Sequence, residues 1–288
     1  MSTNKNISLI IVNYNSSHNT TKLIKSINLI DNLIKKVIIV DNNSNDLKKL
    51  KIYKKNILLI KNDKNLGFAK AVNIGIKKAN TKYILLLNPD TLIIDSSIRK
   101  LYKEIESDSK IGAIGGKIQN MTNQKYQFTA TTKPNFLTGI FEFTNFKKLF
   151  PRNIFSKKFW VESDKEITKP LEVGSLCGAF ILFKRKLGLD LNLFNESYFL
   201  YMEDIDFGLS IIEKGYKVIF DPNSKIKHIG GASSNSKYNI VLKHWYDSRK
   251  IFFNKYCNRI QSVILNIIFL IEENSLKIYH HIKNEPKE

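Results

Sequence analysis

The sequence is poor in cysteine and has no long apolar run, and each shortage excludes a class of protein. Cys177 and Cys257 are the only cysteines in 288 residues, too few for a disulfide framework or a cysteine-based zinc site. The longest apolar run, 263–271, is interrupted by Asn266 and falls short of the roughly 20 residues of a membrane-spanning helix. The run at 7–12 is too short for the core of a signal peptide, so a cytoplasmic protein is expected.

Arginine is scarce as well, although the formal net charge is +20. Only five of the 46 basic residues are arginine and 41 are lysine, whereas arginine is the side chain best suited to reading bases and phosphates. We therefore expect a lysine-coated surface and no nucleic-acid partner, with attraction to anionic lipid as a weaker alternative. With 43% hydrophobic and 25% charged residues, the composition is that of a folded protein.

Two common phosphate-binding motifs are also missing. No Gly-x-Gly-x-x-Gly follows the first apolar run, and no Gly-x-x-x-x-Gly-Lys-Ser/Thr occurs anywhere. A dinucleotide-type Rossmann site and a P-loop both lose support. If the chain binds a nucleotide, metal and side chains must neutralise the diphosphate in place of a glycine-rich helix start.

Apolar runs alternate with helical patterns through the first 116 residues. Four runs have the continuous, β-rich composition of buried parallel strands: 7–13, 36–40, 57–61 and 83–87. Helical patterns lie after the first run, with Leu23, Ile27 and Ile30 on one face, and at 69–79, and another pattern, 96–107, follows the fourth run and is opened by a capping-type serine, Ser96. This order predicts βαβ units, and therefore an α/β fold with a mostly parallel central sheet flanked by helices.

The pattern weakens after Gly116. Residues 119–168 mix aromatics, lysines and prolines without a clean period, which predicts a long loop of the kind that often forms an active-site lid. Regularity returns in the strand-like segment 172–184 and in a helix over 204–214, for which Gly215 is a suitable C-cap.

A short strand follows at 217–220, and the chain reads as helical from 237 to near its end. We therefore divide it into a main domain over 1–236, with halves 1–116 and 117–236, and a basic, aromatic helical tail over 237–288.

Polar residues stand at the ends of three predicted strands, in the segments Asn13-Tyr14-Asn15, Asp41 to Asp46 and Asn88-Pro89-Asp90. Open α/β sheets bind ligands at the carboxyl ends of their strands. Asp41 can accept hydrogen bonds from a base or ribose, and Asp90 can offer an oxygen to a divalent cation. Each cluster alone is explained as well by turn chemistry, but three clusters on one edge favour a site.

An acidic cluster in the second half supplies a candidate catalyst. Glu203, Asp204 and Asp206 place three carboxylates in four positions, which is costly unless a cation or a function offsets the repulsion. Asp204 is a candidate general base, and an acidic helix N-terminus is the alternative. His228, followed by two glycines, can approach a ligand closely, although a lone histidine is more often structural.

Small residues mark a candidate acceptor-side strand over 174–183. Gly178 and its neighbours leave room for a sugar or for another backbone segment, and tight strand packing explains them equally well. We interpret Cys177 as a small core residue and not as a nucleophile.

Six segments of the sequence, in this order, resemble the family 2 glycosyltransferases: IIVNYNS, VDNNSND, NLGFAKAVNIGI, YILLLNPDT, YMEDIDFGL and HIGGASS. The resemblance covers residues 7–234. The sequence is most similar to the rhamnosyltransferase-like branch that builds bacterial surface polysaccharides. The resemblance implies a GT-A fold and an inverting transfer from dTDP-rhamnose or a UDP-sugar. It also implies a saccharide or lipid-linked saccharide acceptor and a divalent cation, Mg²⁺ or Mn²⁺.

The resemblance also implies roles for individual residues. It places Asn13, Tyr14, Asp41, Asn43, Asn73 and Asp90 at the nucleotide sugar, Gly178 and Glu203 at the acceptor, Asp204 as the catalytic base, and Asp90 with His228 at the metal. Asn88 stands where the family's metal motif begins with an aspartate. The implied metal site therefore has one negative charge fewer, although the rhamnosyltransferase-like branch often shows Asn-Pro-Asp here.

The tail has two interpretations. Lysines, arginines and aromatics over 237–259 precede the apolar run 263–271, which suits a helix lying in a membrane interface. The alternative is a helix packed on the catalytic domain or on a second subunit, as in a homodimer. The first interpretation places the protein peripherally on the inner face of the membrane.

Two other functions stay open. A sugar-nucleotide pyrophosphorylase also uses a nucleotide-binding α/β sheet, but it normally has a glycine-rich phosphate loop, which 13–16 lacks. A non-enzymatic module that binds anionic polymers or membrane would make the acidic cluster at 203–206 dispensable, because carboxylates repel such ligands.

Overall fold

The computed structural model describes residues 5–30, 32–53, 55–151, 153–161, 167–228 and 238–284. The strands are β1 (Ile7–Asn13), β2 (Ile34–Asp41), β3 (Ile57–Lys61), β4 (Tyr83–Leu87), β5 (Thr91–Leu92), β6 (Ile111–Asn120), β7 (Tyr126–Gln127), β8 (Ala130–Thr131), β9 (Leu171–Glu172), β10 (Ser175–Leu176), β11 (Phe180–Lys184) and β12 (Lys217–His228).

The α-helices are α1 (Ser17–Ser26), α2 (Phe68–Lys78), α3 (Ser97–Ser107), α4 (Phe136–Phe141), α5 (Phe146–Leu149), α6 (Ile154–Phe159), α7 (Arg185–Asp190), α8 (Glu203–Glu213), α9 (Tyr238–Tyr256) and α10 (Arg259–Asn284). Short 3₁₀ helices at Ile27–Ile30 and Leu47–Lys49 complete the set.

The central sheet has the strand order β3-β2-β1-β4-β11-β6-β12-β5. Strands β3, β2, β1 and β4 are parallel, as are β6 and β12, and β11 lies antiparallel between β4 and β6. Alternate residues of β1 point to opposite faces, so Leu9 packs in one core with α1 and α3, and Ile10 packs in another with α2 and α8. The expected α/β fold with a mostly parallel sheet is confirmed.

Strand register determines which polar residues meet at the carboxyl edge of the sheet. Asn13, the last residue of β1, pairs with Asp41, the last residue of β2. At the other end of the sheet, His228 pairs with Thr91 of β5. The second pairing depends on β12 being much longer than the predicted 217–220 strand. Its extension brings His228 beside the segment that follows β4.

The prediction of a long loop over 119–168 is wrong. Within the described part of this stretch lie the end of β6, two short strands and helices α4 to α6. Asparagine side chains cap two of the helices: Asn135 Oδ1 accepts from the backbone N–H of Thr138, and Asn153 Oδ1 from that of Ser156. These helices are one or two turns long, too short to produce a visible hydrophobic period.

The capping role expected for Ser96 is also wrong. Its side chain makes no capping hydrogen bond, and the backbone N–H of Ser97 donates instead to Asp95 Oδ1 over 2.7 Å. An aspartate one position earlier therefore serves the start of α3.

The C-terminal helices share a third core with the catalytic half. Phe252 and Phe253 of α9 and Leu265 and Phe269 of α10 are buried, and they pack with residues of α8 and of the 136–161 segment. Because this core joins α9 and α10 to residues between 136 and 209, both helices are structural parts of the molecule. Within the described residues, no helix has both the length and the apolarity needed to cross a membrane.

Candidate active site

The polar residues at the edge formed by β1 and β2 are hydrogen-bonded to one another. The buried Asn13 amide lies 2.7 Å from Asp41 Oδ1 and 3.0 Å from Ser44 Oγ, and Asn13 Oδ1 accepts from the Thr20 hydroxyl. The backbone N–H of Ser44 donates to Asp41 Oδ2 over 3.1 Å. Both carboxylate oxygens of Asp41 are thus held by the protein, which fixes their direction.

The first turn of α1 is tied to the same edge. Asp46 accepts hydrogen bonds from the backbone N–H and the hydroxyl of Ser17, over 3.0 and 2.8 Å. A carboxylate at a helix N-terminus satisfies N–H groups that have no partner inside the helix. This bond closes the loop after β2 over the start of α1.

Tyr14, Asn43 and Asn73, which the resemblance also places at the nucleotide, are not part of this hydrogen-bonded network. Tyr14 is half-buried, and Asn43 is exposed with a left-handed φ of 63°. Asn73 is buried and bonds to the turn after α7, donating to the Phe194 carbonyl and to Glu196 Oε1 and accepting from the Phe194 N–H. These contacts favour a structural role for Asn73, whose nucleotide role stays a prediction.

Asp90 and His228 lie side by side, although 138 positions separate them. His228 Nε2 is 3.0 Å from Asp90 Oδ1, and His228 Nδ1 is 2.8 Å from Gln127 Oε1. A carbonyl oxygen at Nδ1 selects the tautomer with hydrogen on that nitrogen. In the neutral ring, the Nε2 lone pair then faces the Asp90 carboxylate, so a proton or a cation between them is favourable.

This pair fits a divalent cation that arrives with a substrate. An imidazole nitrogen and a carboxylate oxygen are both ligands of such cations, and Gln127 supplies the outer hydrogen bond that usually orients a ligating histidine. Across the described residues, no group of three or more His, Cys, Asp or Glu side chains is placed to hold a metal. Substrate phosphates and water would supply the remaining ligands, as is common for Mg²⁺.

The acidic cluster begins α8 after a strained turn. Tyr201 and Met202 have φ values of 73° and 69°, a left-handed conformation that costs about 1–3 kcal/mol for such residues. Two contacts from α9 oppose this cost: the Ser248 hydroxyl donates to the Leu200 carbonyl over 2.8 Å, and Trp245 meets Tyr201 edge to face. The turn therefore depends on α9 for its shape.

Asp204 is half-buried and points toward the start of β11. Its Oδ2 accepts from the backbone N–H of Gly178 over 3.0 Å, and its Oδ1 accepts from its neighbour Ile205. Burial raises the pKa of Asp204 above its ordinary value, and these backbone donors limit the rise. A carboxylate with a raised pKa is a stronger base than an exposed one.

Glu203 is buried beside Asp204, and its Oε2 atom has no hydrogen-bond partner in the described structure. Burial, followed by the charge of Asp204, raises the pKa of Glu203 well above its ordinary range. A carboxyl group in this position is stabilised in its neutral form, as a hydrogen-bond donor.

A short segment, 177–179, connects the metal-type pair with the acidic turn. The backbone N–H of Gly178 donates to Asp204, while the carbonyl of its neighbour Ala179 accepts from the N–H of Asn88, two residues before Asp90. Burial, followed by the charges of Asp204, Glu203 and Asp90, raises the pKa of Cys177 to about 12, so Cys177 is not a thiolate nucleophile. Asp204 and the Asp90–His228 pair therefore lie around the same 177–179 segment.

Asp206, the third carboxylate, is bonded to helix α9. It is buried, and its Oδ1 accepts from Lys255 Nζ over 2.6 Å and from the Tyr256 hydroxyl over 2.7 Å. The repulsion expected within the acidic cluster is thus offset by α9, and Asp206 anchors α8 to that helix.

The sequence analysis missed Gln127, Lys255 and Tyr256. Gln127 lies in the stretch interpreted as a loop, and no local pattern marks it. The α9 pair lies about 50 positions from Asp206 along the chain, so only a long-range contact reveals it. The glycines after His228 lie outside the described residues.

Comparison with known proteins decides the family. The profile described as "Glycosyl transferase family 2" matches residues 8–187. The chain belongs to glycosyl transferase family 2. It is therefore a glycosyltransferase, and the matched span carries Asn13, Asp41, Asp90 and Gly178.

Relatives of this family 2 chain agree with the predicted branch. N-acetylglucosaminyl-diphospho-decaprenol L-rhamnosyltransferase of Mycobacterium tuberculosis is 24% identical over 233 residues, which cover 76% of this chain and 75% of that protein. The rhamnosyltransferase-like assignment is confirmed.

Solved structures agree with the predicted fold. GalNAc-T7, crystallised with UDP, GalNAc and Mn²⁺, matches with a TM-score of 0.60 and 16% identity over 86% of this chain and 50% of its own. The mannosyltransferase PcManGT of Pyrobaculum calidifontis, in complex with GDP-Man and Mn²⁺, matches with a TM-score of 0.55 and 15% identity over 87% of this chain and 64% of its own. These likenesses show the GT-A fold in this family 2 chain.

Proposed function

We propose that this glycosyltransferase moves a sugar from a nucleoside diphosphate donor, dTDP-rhamnose or a UDP-sugar, to a saccharide acceptor with inversion at the anomeric carbon. One observation carries the proposal: Asp204 and the Asp90–His228 pair flank the same 177–179 segment at the carboxyl edge of the sheet. A base and a cation-binding pair on one cleft are what an inverting displacement needs.

Asp204 is the base in this proposal. It takes the proton of an acceptor hydroxyl as the hydroxyl oxygen bonds to the anomeric carbon, and the bond from that carbon to the diphosphate breaks. The bonding electrons leave with the nucleoside diphosphate on the opposite face of the sugar. The Gly178 N–H holds Asp204 in the carboxylate form through a hydrogen bond, and a positioned base contributes about 10²–10⁴-fold to such a step.

Asp90 and His228 would hold a divalent cation, Mg²⁺ or Mn²⁺, when donor binds. That cation would supply positive charge beside the departing phosphate. Asp41, fixed by Asn13 and Ser44, presents its oxygens to the base or ribose of the donor.

A lipid-linked saccharide is the acceptor we favour. The mycobacterial relative is named for a diphospho-decaprenol substrate, and Gly178 leaves space on the acceptor side. A Cβ atom at Gly178 would lie at ordinary contact distances of 3.4 Å from Phe68 and 3.7 Å from Asp204. The protein's own packing therefore does not require a glycine there, which supports the predicted acceptor role, with Glu203 next to it. A part in bacterial surface polysaccharide synthesis follows from this acceptor.

A thermal-shift screen of nucleotide sugars, each with and without Mn²⁺, tests the proposal. We expect one nucleoside diphosphate sugar to raise the melting temperature, because a ligand at about 100 times its Kd adds about 2.7 kcal/mol of stability. That donor should then support transfer to a saccharide acceptor by the wild-type chain.

Other outcomes identify the alternatives. Release of pyrophosphate from a nucleoside triphosphate and a sugar 1-phosphate would replace our proposal with a pyrophosphorylase. Protection by anionic polymers alone would indicate a binding module.

A further inference from the structure

Helix α10 carries an apolar face that points away from the protein. The face, which we call the outer α10 face, consists of residues exposed by 42% to 73%: Ile260, Val263, Ile264, Ile267, Leu270 and Ile271. At about 100° per residue they occupy an arc of about 120°. Leu265 and Phe269, which are fully buried, lie on the opposite side of the helix. An ordinary surface helix has polar residues where α10 has this face.

A second exposed apolar group adjoins the outer α10 face. Helix α4 packs on α10, where Gly139 approaches Leu265, and the backbone N–H of Asn145 donates to Glu272 Oε1 over 2.9 Å. That bond places the start of α5 beside the residue that follows the outer α10 face, and α6 packs on α4. Helices α5 and α6 and their connection expose large apolar side chains: Phe146, Leu149, Phe150 and Ile154.

The charge around these two groups is mainly positive, because the nearby acids Glu142, Glu272 and Glu273 each pair with a lysine or an arginine. Between residues 133 and 161 the sequence has a single acid, Glu142, which is buried and bonds Lys147 and Trp160. Between 248 and 271 it has no acid at all. Exposed lysines lie among the apolar residues of this surface: Lys133, Lys147, Lys148, Lys157 and Lys158.

We propose that the outer α10 face and helices α5 and α6 bind the surface of a bilayer containing anionic phospholipid. Isoleucine, leucine and phenylalanine would enter the interface, and the lysines would meet the headgroups. The uncharged stretch 260–271 is about 18 Å long at 1.5 Å per residue, against about 30 Å of hydrocarbon, so α10 lies along the membrane.

This assignment narrows the sequence-based expectation of a membrane-binding tail and does not rest on the proposed sugar transfer. The basic, aromatic part of that tail packs inward in its second half through Phe252 and Phe253. The exposed apolar surface belongs to the apolar run 263–271 with Ile260, and to the stretch that was interpreted as a loop.

Vesicle flotation of the full chain tests the apolar part. The variant Ile267→Glu should bind phosphatidylglycerol–phosphatidylcholine vesicles about tenfold more weakly than the wild type, or worse, because it replaces an apolar side chain that enters the membrane with a charged one. Ile267 is 53% exposed, so the fold should not change. Leu189→Glu, at a 38% exposed position outside this surface, is the matched control and should bind like the wild type.

The charged part is tested with lysines. Lys148→Gln/Lys157→Gln/Lys158→Gln should weaken binding about tenfold at low salt and less at about 0.5 M salt. Three exposed lysines of the N-terminal half, changed as Lys48→Gln/Lys49→Gln/Lys78→Gln, give the control with the same loss of charge.

Light scattering separates a membrane from a second copy of the chain. The proposal is supported if the wild type and Ile267→Glu are both monomers and only the variant fails to float with the vesicles. A wild-type dimer that Ile267→Glu converts to a monomer, with no binding to either vesicle composition, would overturn it in favour of a homodimer interface. Equal flotation of Ile267→Glu and the wild type would also overturn it.

Discussion

The two carboxylate sites of this glycosyltransferase differ in how fully the protein satisfies them. Both oxygens of Asp41 accept hydrogen bonds from the protein, and its neighbour Asn13 is bonded at both ends of its amide. At the acidic turn, Glu203 is buried with one oxygen lacking a partner, and burial raises the pKa of both Glu203 and Asp204.

The difference suggests that the Asp41 network mainly supports the structure and that the acidic turn mainly supports the reaction. A saturated network holds its atoms in one arrangement and contributes to folding, whereas incompletely satisfied carboxylates cost stability and keep proton affinity for chemistry. Changes at the Asp41 edge should therefore lower stability, and changes at the acidic turn should lower activity.

Asp204→Asn should give the largest effect. We expect the transfer rate to fall about 10²–10⁴-fold, because the amide cannot take a proton. Donor protection in a thermal-shift assay should persist, since Asp204 lies on the acceptor side. Transfer at the wild-type rate would remove Asp204 from the role of base.

Asn13→Ala should test the opposite side of the comparison. The change leaves buried Asp41 without its Asn13 donor, and we expect a loss of about 2–3 kcal/mol in the free energy of unfolding, measured with urea. Asn45→Ala, at an exposed position in the loop after β2, is the control and should stay within about 0.5 kcal/mol of wild type. Equal losses in both variants would contradict a special role for the buried network.

The pH dependence of transfer should report the base directly. Since burial raises the pKa of Asp204, the acidic limb of the kcat profile should lie above the range of an ordinary aspartate. Activity should fall as the pH drops through this raised value, because the base becomes protonated. An acidic limb at or below the ordinary aspartate pKa would show that another group limits the reaction.

Glu203→Gln should separate stability from activity. The folded-state pKa of Glu203 is raised, so the wild-type carboxyl lowers stability as the pH rises from its unfolded value toward its folded one. The glutamine variant should melt like the wild type near pH 4 and higher than the wild type at pH 8, with slower transfer. A lower melting temperature at pH 8 would mean that the carboxylate has a stabilising partner.

Tyr256→Phe should give the smallest effect. It removes the hydroxyl that donates to Asp206 but leaves Lys255 in place, so we expect a stability loss of about 1 kcal/mol. Denaturant unfolding measures it. A loss as large as that of Asn13→Ala would show that Lys255 alone does not neutralise Asp206.

The first half of the fold could be predicted because its signals are local. Strands β3 and β4 have the predicted bounds, 57–61 and 83–87, since buried parallel strands are continuous apolar runs. The ends of β2 and β4 also indicated the polar edge with Asp41 and Asp90.

The second half could not be predicted in the same way because its structure depends on distant contacts. Helices α4 to α6 are short, and α4 and α6 share a core with α9 and α10. The neighbours of His228 and Asp206, Gln127 and Lys255, are 101 and 49 positions away along the chain. No periodicity in a single sequence marks such pairs.

The attachment of α9 to the acidic turn limits what a shortened chain can reveal. Ser248 bonds the Leu200 carbonyl, and Lys255 bonds Asp206, so cutting at residue 236 would release the strained residues just before Asp204. An inactive truncation product would then reflect a collapsed catalytic centre and say nothing about where the enzyme resides in the cell. Point substitutions on the outside of α10 leave that scaffold whole.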